Sequence, residues 1–114
     1  MLPAINRLKA NRDFKSVFNG GKTAENRFFK IKFIKNREKE TRFGFIISTK
    51  FAKKAVVRNL IKRRLRAAVR FLLKNIKPGF DIIVWPKKIL EESNFKLLAD
   101  GLKTLFIKND LLSI

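Results

Sequence analysis

A chain of 114 residues, 46% of them hydrophobic and twelve of them Phe, has room for one packed domain and is too short for two ordinary ones, and disorder is not the default reading. Cysteine and histidine are absent, which excludes disulfides, thiolate nucleophiles, imidazole proton shuttles and the commonest zinc ligands. The formal net charge of +19 makes the compact state self-repelling and points to a polyanionic partner, nucleic acid first and acidic lipid second.

The opening "MLPAINRLKANRDFKSVF" has no long apolar core, so no signal peptide is expected. No stretch approaches the roughly 18 apolar residues needed to span a bilayer. A cytoplasmic protein is the expectation.

In chain order, the first element is a short helix from Arg12 to Asn19. Asn11 is the expected N-cap, Asp13 suits the positive helix end, and Gly20-Gly21 stop the run. From Arg27 to Lys35 the pattern has period two, with Phe29, Ile31 and Phe33 on one side and Phe28, Lys30, Lys32 and Ile34 on the other. Arg42 to Ser48 reads as a second strand, expected to pair with the first as an antiparallel hairpin across "NREKE".

A long helix follows from Lys53 or Lys54 to Asn75, ended by Pro78 and Gly79. "DIIVW" at 81–85 is apolar enough for a buried central strand. Ser93 or Asn94 caps a last helix that packs through Phe95, Leu98, Leu102, Leu105 and Phe106. Gly101 lies inside that helix and costs it about 1 kcal/mol against Ala. The order implies an α+β sandwich, helices packed on one face of a small sheet, as a single unit spanning residues 1–114.

The long helix carries the sharpest signal. At about 100° per residue, Val57, Leu60, Ile61, Leu65, Ala68 and Leu72 share one arc. Arg58, Asn59, Lys62, Arg63, Arg66 and Arg70 occupy the other, and Arg64 alone falls among the apolar positions. There is no acid between Glu40 and Asp81. A solvated helix face mixes signs, whereas Arg58, Lys62, Arg66 and Arg70 are like charges at i,i+4 spacing, each pair costing a few tenths of a kcal/mol. A membrane-surface helix would carry larger apolar residues than Ala67 and Ala68, and the flanking strands need this arc for the core. Nucleic acid fits best, because guanidinium forks clamp phosphates and each neutralised phosphate releases a counterion. Asn59 can bridge a sugar hydroxyl and a phosphate.

At "AVVRNLIKRRLR" the chain resembles the protein subunit of bacterial ribonuclease P, a family with an R-N-x-hydrophobic-K-R-x-hydrophobic-R signature on a long helix. Arg58, Asn59, Ile61, Lys62, Arg63, Leu65 and Arg66 match it. "RLKANRDFKSVFNGG" resembles the family's opening motif, "RFGFIISTK" its strand leading to S-x-K, and "DIIVW" and the last helix follow in order. The resemblance covers almost the whole chain. It departs at Leu60, where the family usually has Arg, and at Lys32, where relatives often place an aromatic.

The resemblance implies a four-stranded sheet like the second domain of ribosomal protein S5, with a left-handed β-α-β crossover through the basic helix, against the general right-handed rule. It implies a binding subunit, monomeric per RNA, of an endoribonuclease that removes the 5′ leader from precursor tRNA, with chemistry supplied by catalytic RNA and Mg²⁺. Arg58, Asn59, Lys62, Arg63, Arg66 and Arg70, with Lys50, Lys53 and Lys54, are then expected to hold the RNA subunit. Phe14, Phe18, Lys30 and Lys32 are expected to line a leader groove between the first helix and the sheet. The acids Asp13, Asp81, Glu91, Glu92, Asp100 and Asp110 form no Mg²⁺ motif. The alternatives are a ribosomal or RNA-chaperone protein, and a nuclease acting without RNA, which the missing His disfavours.

Overall fold

The computed structural model describes residues 2–49, 53–87 and 95–113. Three helices, α1 (Asn11–Gly20), α2 (Ala55–Leu72) and α3 (Phe95–Lys108), accompany four strands, β1 (Lys22–Glu25), β2 (Phe29–Lys35), β3 (Arg42–Phe45) and β4 (Phe80–Pro86). The strands form one sheet in the order β1-β2-β4-β3. The first two contacts are antiparallel and the last is parallel.

β4 takes the centre because it is apolar on both sides. Ile82 and Val84 enter the core under α2 and α3, Ile83 enters a second cluster under α1, and all three are fully buried. The expected hairpin between β2 and β3 therefore does not form, because β4 lies between them. Asn36, in the connection after β2, donates to Asp81 Oδ1 at 2.8 Å and to the Glu40 carbonyl at 3.1 Å, which carries the chain over the end of β4. β3 then pairs with β4 in parallel, with α2 as the crossover between them. β1 is polar, short and largely exposed, and "KTAE" gave no strand signal.

The helices divide between the sheet faces. Leu65, Ala68, Val69 and Leu72 of α2 pack with Leu98, Leu102, Leu105 and Phe106 of α3 on the face presented by Phe29, Ile31 and Phe33. The expectation of helices on one face holds for these two. α1 lies on the opposite face, where Val17 packs with Leu8, Ile83 and the partly buried Phe14, Ile34 and Trp85. The alternation of β2 allows this, since Ile34 gives its basic side an apolar end for a helix to cover. A Cβ at Gly101 would stand 3.0 Å from the Phe29 ring, so the glycine lets α3 approach β2 closely and offsets its helix cost.

Three boundaries differ from expectation. α1 starts at Asn11 with Ala10 as its N-cap and no capping side chain, because the Ala10 carbonyl already accepts from the Asp13 and Phe14 amides at 3.0 and 3.2 Å. β3 ends at Phe45, although the Ile46 amide still donates to Val84. α2 tightens into a 3₁₀ turn at Leu73–Asn75. The expected cap of α3 at Ser93 or Asn94, and the Phe95 side chain, lie outside the described residues.

One ionic cluster joins three elements. Arg42 of β3 donates to Asp81 of β4 through Nε and Nη2 at 2.9 and 2.8 Å, and through Nη1 to Asp13 of α1 at 3.3 Å. Asp81 is buried, and its hydrogen bonds to Arg42 are the main reason the guanidinium is held above its ordinary pKa. Because the Arg42 pKa is raised, the guanidinium's contribution is present at pH values below its unfolded pKa, far above neutrality, and is lost only in stronger base. The tie is thus constant across the physiological range.

Candidate nucleic-acid interface

α2 begins at Lys54 with no capping side chain and no acid in its first turn, so its positive helix end stands uncompensated beside Lys53, Lys54 and Arg58. Arg58 is held there by a 2.8 Å hydrogen bond from Nη1 to the Lys53 carbonyl. Lys53, Lys54, Asn59, Arg63 and Arg70 are exposed, while Lys62 and Arg66 are half-buried. The predicted basic residues are thus assembled on α2 and at its entrance, except Lys50, which lies outside the described residues. Arg64 is exposed too, as expected of a head group reaching outward.

The apolar arc is shorter than its periodicity implied. Burial starts in earnest at Leu65, with Ile61 partly covered, while Val57 and Leu60 are 36% and 38% exposed. The first two turns of α2 overhang the core. Leu60 instead borders a hollow of about 340 Å³ with Arg63, Arg64, Arg66 and Ala67.

The basic arc also has two sides. Lys62 and Arg66 turn toward the β3 edge and line a crevice of about 340 Å³ with Arg7, Lys9, Phe14 and Gly44. Arg7 and Lys9 were missed in the sequence because no periodicity places them. The structure does so by running the N-terminal segment along β3, with the Leu8 amide donating to the Phe43 carbonyl at 2.9 Å. A Cβ at Gly44 would come within 2.7 Å of the Phe14 ring, so glycine lets that ring approach the β3 backbone closely.

On the α1 side of the sheet a second set of residues converges. Phe14 is half-buried and Phe18 is 40% exposed. Their ring centroids are 6.5 Å apart, and Phe18 lies 6.0 Å from Trp85. Lys30 Nζ stands 5.4 Å over the indole, and Lys32 Nζ donates to the Phe18 carbonyl at the end of α1 at 2.5 Å. Phe14, Phe18, Lys30 and Lys32 therefore lie together along the α1 side of the sheet, the place expected of a groove. Trp85 belongs with them and was missed: "DIIVW" read as core throughout, but its alternation places Trp85 with Ile83 on the α1 side, opposite Lys30.

The family model described as Ribonuclease P matches residues 2–110. The chain belongs to the ribonuclease P protein family. Among its relatives, a ribonuclease P protein component from Picosynechococcus sp. is 39% identical over 110 residues, spanning 96% of this chain and 95% of that protein. One from Finegoldia magna is 40% identical over 96 residues, with 84% and 83% covered. Among solved structures, the RNase P protein from Thermotoga maritima superposes with a TM-score of 0.81 at 36% identity, covering 90% of this chain and 96% of that one. The Staphylococcus aureus RNase P protein gives 0.81 at 26% identity, with 95% and 98% covered. Family membership bears out the resemblance read from the basic helix and the motifs around it.

Proposed function

We propose that the protein is the binding subunit of a ribonucleoprotein that removes the 5′ leader from precursor tRNA. α2 holds the catalytic RNA through Arg58, Asn59, Lys62, Arg63, Arg66 and Arg70, with Lys50, Lys53 and Lys54 at its entrance, by phosphate and 2′-hydroxyl contacts. The groove under α1 receives the single-stranded leader, Phe18 and Phe14 meeting bases and Lys30 meeting phosphates. Lys32 braces the end of α1 and adds charge beside it. The protein acts in the cytoplasm, one copy per RNA.

The observation that carries this reading is the placement of the Arg7, Lys9, Lys62 and Arg66 crevice where the two regions meet. In this reading a strand leaving the α1 side past Phe14 would meet Arg7, Lys9, Lys62 and Arg66, which line that crevice with Phe14. No His or Cys is available for protein-borne catalysis. Among the described residues no group of three acid, His or Cys side chains could hold a metal ion, so no step is assigned to a protein-bound Mg²⁺. In this reading Mg²⁺ serves the reaction from the RNA. Also among the described residues, no helix is long and apolar enough to cross a membrane.

Reconstitution with the cognate RNA tests the proposal. Stimulated cleavage of precursor tRNA at low Mg²⁺ is the expected result. RNA compaction without stimulation would favour the RNA-chaperone alternative, and metal-dependent cleavage by the protein alone would favour a protein nuclease.

A further inference from the structure

Trp85 is the chain's sole tryptophan. It stands near the end of β4 on the α1 side, with its cross-strand partner Lys30 on β2. Its ring packs partly against the Ile83 cluster, and Phe18, 40% exposed, leans toward it with centroids 6.0 Å apart. Over the indole face, 5.4 Å from the centroid, rests the ammonium of Lys30, an exposed residue. An indole used for packing alone would be covered by apolar groups. Here one cover is a flexible, hydrated cation.

That cover is replaceable. The contact of an exposed ammonium with an aromatic face is weaker than the stacking of a nucleobase on the same face. The lysine stem is long enough to swing aside while keeping its charge beside the incoming strand. We propose that Trp85 is a stacking platform for one unpaired base, and that the base displaces Lys30 from the indole so that the ammonium meets the adjoining phosphate. The inference rests on the groove being a single-strand site and names the residue that extends it past Phe18. Because every base offers a π-face, such a platform tolerates any leader sequence.

The holoenzyme, reconstituted with its RNA subunit under non-cleaving conditions, provides the test, since the RNA contributes no tryptophan emission. Leader-bearing precursor tRNA is expected to quench Trp85 emission, and mature tRNA to leave it unchanged. Trp85→Leu, which keeps an apolar side chain but removes the π-face, should weaken precursor binding about tenfold against mature tRNA. Trp85→Phe should recover most of that loss. Circular dichroism and urea midpoints establish that each variant is folded.

Unchanged emission at saturating precursor, or equal binding by the Leu and Phe variants, would overturn the proposal and leave Trp85 a packing residue. The groove reading would survive either result so long as the wild-type holoenzyme still preferred precursor to mature tRNA. Equal binding of the two tRNAs by the wild type would instead remove the groove reading, and this inference with it.

Discussion

On α2 the cations stand on an open helical surface with no acid among them, whereas in the groove they are interleaved with rings and anchored to them or to backbone. Lys30 lies over an indole and Lys32 on a helix-end carbonyl, while Lys53, Lys54 and Arg63 reach directly into solvent. Physically these are two kinds of recognition. In the proposed function the helix holds RNA through charge that salt screens, and the groove adds stacking on rings to its own salt-dependent phosphate contacts. On the proposed reading, one small domain grips a structured RNA and a variable single strand through separate sets of residues.

The largest expected effect comes from cutting the ionic tie that joins α1 and β3 to β4. Asp81→Ala leaves the half-buried Arg42 without its main partner and should cost about 3 kcal/mol, read from the urea midpoint. A loss below about 1 kcal/mol would mean that Asp13 and water replace the lost carboxylate.

Phe14 and Phe18 should separate next. Phe14→Ala is expected to cost about 2–3 kcal/mol of stability, less than a fully buried Phe because its ring is half-covered. Phe18→Ala should cost under about 1 kcal/mol of stability yet reduce the preference for leader-bearing tRNA about tenfold. If the Phe14 variant binds leader-bearing and leaderless tRNA with an unaltered ratio, Phe14 belongs to the core alone.

On α2, Arg58→Ala should lower affinity for the RNA subunit and reduce the slope of log affinity against log salt by about 1. The leader preference should not move, and an unchanged slope in a filter-binding titration would count against the α2 assignment. The smallest effect is expected from Leu60→Arg, which places a cation on an already exposed position. Stability should shift by no more than about 0.5 kcal/mol, and the salt slope should steepen by up to about 1. A destabilised variant would show that Leu60 packs more firmly than its 38% exposure implies.

The basic helix was legible in the sequence because a single element carries its whole message: period, sign and the missing acids all lie within residues 55–72. β4 was legible as a central strand for the same reason, since Ile82, Ile83 and Val84 are apolar on both faces. The partner of β3 was not. Whether two neighbouring strands pair or admit a third between them is settled by a strand thirty-five residues further on. Residues whose meaning depends on such distant neighbours were lost with it. Arg7 and Lys9 become part of a surface only when the N-terminal segment lies along β3, and Trp85 faces a groove only because α1 covers the far side of the sheet. Val57 and Leu60 erred in the opposite direction, since periodicity shows which way a residue points but not where the covering body ends.

The central place of β4 has a consequence for how the molecule comes to exist. β1 and β2 can meet as soon as both are made, but β3 finds no strand neighbour until β4 is available. The basic helix α2 is synthesised in the interval, while the sheet that should bury Leu65, Ala68 and Leu72 is still open on that side. A chain halted before Phe80 therefore carries the full positive charge of α2 with no finished body to support it. A chain truncated before Phe80 is thus expected to be cut by protease faster than the whole domain, because β3 then has no strand neighbour.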